Sequence, residues 1–137
     1  MSQVSLAVGA DPAHVRVVRL VAGAVARRAG VDEESVDEVK LAVGEACALA
    51  VSAMQAHDLT GHADRLVVEI EDDAGIEVVV RAPVDLEQHA LDAHAGELFP
   101  DGLAVIRGLL DDVSISSDGA GSLVRMSWAA EVAHPTV

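Results

Sequence analysis

The alternation of apolar and polar residues along the chain predicts five β-strands, four of which pair as two hairpins. The strand segments are 4–8, 66–70, 76–80, 113–117 and 122–128. Turns rich in aspartate and glycine, at 71–75 and 118–121, join the second strand to the third and the fourth to the fifth. This arrangement predicts an antiparallel sheet of four or five strands.

Other segments repeat their apolar residues at spacings of three and four, which is typical of helices that bury one face. Asp11 followed by Pro12 is a typical helix start, Gly30 is a typical helix end, and either Asp32 or Ser35 can cap the second helix. We expect three helices, at 12–29, from 33 or 36 to about 56, and at 101–111, and a short helical segment at 85–90.

The length and composition fit one domain with an aliphatic core. The 137 residues are 51% hydrophobic, but their only aromatic residues are Phe99 and Trp128. We therefore expect a single domain over 1–137 with a frayed tail over 131–137. Its fold class is a two-layer α+β sandwich, in which the three helices lie on one face of the antiparallel sheet.

The charge is strongly negative, with 23 acidic residues against 9 basic ones and a formal net charge of −14. Such a chain repels nucleic-acid phosphates and anionic membranes, so we expect neither as a partner. The same charge favours encounter with basic protein surfaces. A solvated acidic surface without a partner would have the same composition.

Three features predict a cytoplasmic protein without a metal. No uncharged apolar run reaches the length of about 18 residues that a membrane span requires, and the N-terminus lacks the basic region of a signal peptide. Cys47 is the only cysteine, so it cannot form an internal disulfide, and we expect it to be a small buried hydrophobe. The turn at 57–64 contains histidine and aspartate but no fixed ligand spacing.

Glu45 stands out because it lies within the apolar stretch of the second helix. An ionised carboxylate is costly there unless it has a partner. The residue is either a helix carboxylate that pairs with a basic side chain or faces a partial cavity, or a functional group.

The segment KLAVGEAC at 40–47 resembles the N-box helix of the bacterial anti-sigma-factor serine kinases of the RsbW type. These are small proteins with the histidine-kinase-like ATPase, or Bergerat-type, fold. Segments 18–30 and 102–115 resemble the same family in the same order, and the resemblance covers about 4–128. It implies that Glu45 occupies the general-base position. It also implies that the Asn that ligates Mg²⁺ four residues later is replaced by Leu49, which offers no oxygen ligand.

The family's two glycine boxes are also altered. In the first box, D-x-G-x-G, the resemblance places Ala82 at the adenine-reading Asp and Val84 and Leu86 at the two glycines. In the second box, G-x-G, Pro100 replaces one glycine and only Gly102 remains. Each lost polar contact costs about 1–3 kcal/mol. We therefore expect no bound cofactor, no catalytic residue and no metal, with Glu45 as a vestigial base.

The resemblance then implies a regulatory binding protein that contacts a sigma factor, a STAS anti-anti-sigma factor or both, and pairs as a homodimer through the sheet side. Two alternatives stay open. One is an active serine kinase that uses ATP and Mg²⁺ to phosphorylate a STAS protein. The other is a ligand-sensing module that reuses the nucleotide cavity. The pair Gly121-Ser122 matches the family's closing Gly-Thr element, although an ordinary hairpin turn explains it equally well.

The first helix is basic in an otherwise acidic chain. Its arginines are Arg16, Arg19, Arg27 and Arg28. In the resembling family, an arginine on this helix contacts both the sigma factor and the STAS protein, and the matching position is Arg19, with Arg16 one turn earlier. The alternative is that both pair with local carboxylates such as Asp11 or Glu38, which would contribute about 0–1 kcal/mol each.

Overall fold

The computed structural model describes residues 2–89, 113–118 and 121–130. The helices and strands within these residues are β1 (Ser2–Val8), α1 (Pro12–Arg28), α2 (Glu33–Ala56), β2 (Leu66–Asp72), β3 (Gly75–Ala82), β4 (Val113–Asp118) and β5 (Gly121–Ala129). Residues 86–89 are also helical, within the short segment predicted at 85–90. The predicted third helix at 101–111 and the tail at 131–137 lie outside the described residues.

The five strands form one antiparallel sheet in the order β1-β2-β3-β5-β4. Both predicted hairpins are present, since β2 pairs with β3 across 73–74 and Asp118 pairs with Gly121 at the start of the β4–β5 ladder. β1 is longer than predicted: it starts at Ser2 and pairs with the whole length of β2 as an edge strand. The predicted α+β fold with an antiparallel sheet is confirmed.

Aspartate side chains begin both helices. The Asp11 carboxylate accepts a hydrogen bond from the backbone N–H of Ala13 at 2.9 Å, as expected for a cap before a proline. At α2, Asp32 rather than Ser35 is the cap, and Ser35 donates both its N–H, at 2.9 Å, and its hydroxyl, at 3.0 Å, to Asp32. Between the helices, Gly30 has a φ of +88°, a conformation that favours glycine.

The two helices and the inward-facing strand residues enclose one aliphatic core. The largest fully buried side chains include Met54, Leu66, Ile70, Leu86 and Met126. Burying an aliphatic side chain of this size stabilises the fold by about 1.5–3 kcal/mol.

The buried face of α1 differs slightly from the predicted one. The expected set was Val15, Val18, Val21, Ala22 and Val25. Val18 and Ala22 are fully buried, the other three are half-buried, and Ala26 is fully buried as well. The buried face of α1 is therefore shifted from the predicted one toward Ala22 and Ala26, because α2 packs beside α1.

α2 is long and apolar enough, by length and composition alone, to cross a membrane. Its apolar side chains, however, lie largely inside the fold, against α1 and the sheet. Cys47 is among them and is fully buried, as predicted, and this burial raises the pKa of its thiol to about 12. The composition of α2 is that of a core helix.

Replacing Asp32 by Asn tests the α2 cap through pH. The hydrogen bonds from Ser35, first from its backbone N–H and then from its hydroxyl, lower the pKa of Asp32. Its ionised form therefore favours folding above the ordinary aspartate pKa of about 3.9, and this contribution is lost as the pH falls through the folded-state pKa. We expect the melting temperature of Asp32→Asn, followed by circular dichroism, to fall less than that of the parent chain between about pH 5 and about pH 3.

Asp58→Asn is the matched control, because no carboxylate hydrogen bond of Asp58 occurs among the described residues. Its melting temperature should follow the parent chain over the same pH range. Equal acid sensitivity of Asp32→Asn and the parent chain would contradict the role assigned to the Asp32 carboxylate.

Candidate functional site

α2 places Glu45 and Leu49 one turn apart on one face of the helix. Both side chains are half-buried, and Leu49 packs against the core. The Glu45 carboxylate has no hydrogen bond or ion pair with any residue that the structure describes. A pairing of Glu45 with a basic side chain is therefore not seen in this part of the chain.

One turn beyond Leu49, the Ser52 hydroxyl lies 3.2 Å from Nε2 of His89. His89 belongs to the short helical segment that follows β3, and the Asp85 carboxylate caps this segment by accepting the N–H of Gln88 at 2.9 Å. The contact ties the segment to α2. No pattern in the sequence indicated it, because the two residues lie 37 positions apart.

The last residue of β3 and the segment after it carry buried apolar side chains. The resemblance aligns these positions with the family's first glycine box. Ala82 is 4% exposed, Val84 is 7% exposed and Leu86 is fully buried, and all three belong to the core cluster. A glycine at 84 or 86 would leave room beside the backbone. Here the methyl groups occupy that room.

Ser122 holds this segment in place. Its hydroxyl donates a hydrogen bond to the carbonyl of Val84 at 2.7 Å and accepts one from the N–H of Leu86 at 2.7 Å. The hydroxyl of Ser117 lies 2.9 Å away and acts as the second donor, because the single proton of Ser122 is already used. Ser122 is buried, so its donor and both acceptor positions are satisfied inside the protein.

The preceding residue, Gly121, permits this arrangement. A Cβ atom at this position would overlap the carbonyl oxygen of Ala82. Glycine therefore allows the start of β5 to approach the end of β3, and Ser122 then reaches the 83–86 backbone. Gly121-Ser122 is thus the start of a hairpin strand and also the anchor of the 83–86 segment.

The two arginines singled out on α1 are both exposed. Within the described residues, neither Arg16 nor Arg19 forms an ion pair with a carboxylate. Their proposed local partner Asp11 instead caps α1. Arg27, by contrast, binds Glu33 through two hydrogen bonds of 2.8 and 3.2 Å.

Exposed apolar side chains accompany these arginines. The large hydrophobic residues exposed in the described part of the chain are Val17 at 50%, Leu20 at 62% and Leu41 at 42%. All three lie on α1 or α2. The outer face of the sheet is different, since it carries the ion pairs Arg81–Glu69, at 2.9 Å, and Arg125–Glu77, at 3.6 Å. The expected dimer through the sheet side stays a prediction.

Two candidate positions, Pro100 and Gly102 of the second glycine box, lie outside the described residues. Among residues 2–89, 113–118 and 121–130, no group of three or more His, Cys, Asp or Glu side chains could hold a metal ion. The absence of a metal site in the whole chain stays a prediction.

Replacing Ser122 by Ala tests the anchor of the 83–86 segment. The substitution leaves the N–H of Leu86 and the carbonyl of Val84 without their side-chain partner, and a buried unsatisfied group costs about 1–3 kcal/mol. We expect the free energy of unfolding, measured by urea denaturation, to fall by about 2 kcal/mol or more. The control is Ser116→Ala, an exposed serine on the neighbouring strand, which should change the same free energy by less than about 0.5 kcal/mol. A similar loss in both variants would argue against the anchor.

Comparison with known proteins agrees with this geometry. A model of the histidine kinase-like ATPase domain matches residues 8–128. The serine-protein kinase RsbW of Oceanobacillus iheyensis is 29% identical over 140 residues, which covers 93% of this chain and 87% of that protein. The crystal structure of the RsbU and RsbW domains of Rv1364c from Mycobacterium tuberculosis has the same fold, with a TM-score of 0.67 at 16% identity. That match covers 97% of this chain, which spans only 35% of the length of the larger protein. The chain therefore belongs to the histidine kinase-like ATPase domain family, as an RsbW-like member.

Proposed function

We propose that this chain is a cytoplasmic, anti-sigma-factor-like regulator that acts by protein–protein contact and has lost nucleotide binding and kinase activity. Its partners are a sigma factor, a STAS anti-anti-sigma factor or both, and it pairs as a homodimer. The observation that carries the proposal is the full burial of Leu86 in the core, at a position where the family has a glycine that lets the backbone approach the nucleotide.

The described residues at the nucleotide positions do not fit Mg²⁺ and ATP. Leu49 has no oxygen for Mg²⁺, which prefers hard oxygen ligands in octahedral geometry. Ala82 has no group to accept a hydrogen bond from the adenine amino group. The Ser122 hydroxyl, which could have served a ligand, is used within the protein by Val84 and Leu86. These losses lie at separate points of the site, so one rearrangement does not restore them together.

The main alternative is an active ATP-dependent serine kinase. Two observations favour it: the relative from Oceanobacillus iheyensis is a serine-protein kinase, and Glu45 is half-buried without a partner among the described residues. A base needs a substrate hydroxyl beside a bound phosphate donor, however, and the altered positions remove contacts to that donor. We therefore place this function second.

A ligand-sensing function is the third candidate. An open cleft of about 340 Å³ lies where β3 and β4 end and β5 begins, and its polar lining includes Arg81, Ser116, Ser117 and Ser122. The hydroxyl of Ser122 is satisfied by the protein, and Arg81 binds Glu69 at 2.9 Å. The groups left for a ligand are thus few.

The partner surface that we propose is the exposed face of the α1–α2 pair around Arg19. Arg19 and Arg16 have no carboxylate partner among the described residues, and exposed aliphatic side chains lie on the same two helices. Interfaces of this kind combine an arginine anchor with apolar contacts. A guanidinium group can bind a carboxylate of the partner through two parallel hydrogen bonds.

Titration with Mg·ATP tests the loss of nucleotide binding. A ligand that binds only the folded state stabilises it by RT ln(1 + [L]/Kd), so a chain without affinity shows no change. We expect the melting temperature to stay constant up to millimolar Mg·ATP and Mg·ADP. We also expect no label to pass from radioactive ATP to any STAS protein.

The serine-protein kinase from Oceanobacillus iheyensis serves as the positive control under identical conditions. A rise of several degrees for this chain would contradict the loss of nucleotide binding, and transfer of label to a STAS protein would establish the kinase alternative.

Replacing Arg19 by Ala tests the partner surface. The probes are the STAS-domain proteins and sigma factors encoded in the same genome, purified one by one and titrated by calorimetry. For each partner that binds the parent chain, we expect Arg19→Ala to weaken binding at least about tenfold, which corresponds to about 1.4 kcal/mol. Circular dichroism should show an unchanged fold, because the guanidinium has no described carboxylate partner to lose.

Arg28→Ala is the matched control, since Arg28 is an exposed arginine on the same helix and its loss changes the net charge equally. It should bind within about twofold of the parent chain. Equal losses in both variants would point to a general charge effect and away from Arg19. If none of the probes binds the parent chain, the proposed function is wrong.

A further inference from the structure

Arg19 does not extend into solvent directly from α1, because its stem lies across α2 at Gly44. A Cβ atom placed on Gly44 would lie 2.7 Å from Cδ of Arg19 and 3.1 Å from both its Cγ and its Nε. The first distance is shorter than real Cβ contacts, and the other two are tighter than most, so the stem would have to shift if residue 44 carried a side chain. The Arg19 stem therefore lies in the space that the missing side chain of Gly44 leaves free, which we call its seat.

A second seat of the same kind lies on α1 and holds a side chain of α2. A Cβ atom on Gly23 of α1 would lie 2.9 Å from Cδ and 3.0 Å from Cγ of Lys40 of α2. In each helix the basic residue precedes the glycine by four positions, so Arg19 and Gly23 lie on one face of α1 and Lys40 and Gly44 on one face of α2. Each helix thus lays the aliphatic stem of one basic residue against a glycine of the other helix.

The seat determines where the Arg19 guanidinium is presented. Because Nε itself lies against Gly44, the charged group is carried to the surface of α2. Leu41 and Ala48, three residues before and four residues after Gly44, are both exposed on that side of α2. A partner that binds Arg19 there also meets an apolar surface.

We infer that Gly44 is a positioning residue for partner binding, because it fixes the Arg19 guanidinium beside the exposed Leu41 of α2. This inference rests on the function proposed above. It adds α2 to the surface that a partner recognises. It also assigns Gly44, which lies directly before Glu45 in the sequence, to partner binding rather than to the nucleotide site.

Gly44→Ala is an informative substitution because alanine is a better helix former than glycine. The helix itself is not weakened, and the atoms that must move belong to the flexible stem of Arg19. Gly23→Ala is the matched control. It makes the same substitution in the same helix pair, but it displaces Lys40 and leaves the seat of Arg19 intact.

The first measurement needs no partner. Nitrogen relaxation of the Arg19 Nε–H should show an order parameter above about 0.6 in the parent chain, well above that of the exposed Arg28. Gly44→Ala should shift the Arg19 Nε–H resonance and lower its order parameter, whereas Gly23→Ala should leave both unchanged. Equal mobility of Arg19 and Arg28 in the parent chain would overturn the inference, even if Gly44→Ala failed to fold.

The second measurement is a double-mutant cycle with any STAS protein or sigma factor that binds the parent chain. Gly44→Ala should weaken binding at least about fivefold, and Gly23→Ala should stay within about twofold. In an Arg19→Ala background, Gly44→Ala should cause no further loss. A purely structural effect of Gly44→Ala would instead lower affinity equally with and without Arg19, which would overturn the inference.

The two measurements separate this inference from the proposed function. If Arg19→Ala weakens binding but Gly44→Ala does not, only the inference fails. If Arg19→Ala binds as tightly as the parent chain, both the inference and the proposed partner surface fail.

Discussion

The close approach of α2 to its neighbours is the constraint on which the rest of the structure depends. With only Phe99 and Trp128 as aromatic residues, the chain cannot fill its interior with large rings. Instead, small residues line the buried faces of both helices, which lets the helices pack closely and leaves little space to fill. These include Ala22, Gly23 and Ala26 of α1 and Ala42, Gly44, Ala46, Ala50 and Ala53 of α2. Protein interiors pack densely, so a long side chain between the two helices must lie where a small residue leaves space. The seats of Arg19 and Lys40 are spaces of this kind.

The same requirement for a filled interior applies to the 82–86 segment, which the resemblance aligns with the family's first glycine box. In this chain, Val84 and Leu86 extend the core across that region, and Ser122 satisfies the polar groups of the backbone that carries them. Because the donor and both acceptor positions of this buried hydroxyl are used, displacing the segment would break its hydrogen bonds to Val84 and Leu86. The region is therefore built as part of the interior.

Most of the fold could be predicted from local sequence signals, whereas contacts between residues that are distant in the sequence could not. Asp11 was identified as a helix start, and Asp32 was one of two candidates for the second start, because a cap acts within three residues of itself. The hairpins were identified from their turns, and the strands were predicted to within a few residues. In contrast, Ser122 lies 36 positions from Leu86, and Ser52 lies 37 positions from His89. No periodicity encodes such pairs. The pattern Arg19–Gly23 and Lys40–Gly44 was visible in the sequence, but its meaning depended on the distance between the helices.

Within the described residues, the 82–86 segment and Arg19 are held by different parts of the fold. The 82–86 segment is held by β5 through Ser122, whereas the stem of Arg19 lies against α2 at Gly44. No described contact of Arg19 involves the 82–86 segment. Under the proposed function, substitutions in the 82–86 segment can therefore accumulate without moving Arg19. Under the proposed function, a chain of this kind cannot be released from one partner by phosphorylating another. Exchange between partners must then follow their relative affinities and concentrations, because a ligand shifts an equilibrium only by its differential binding.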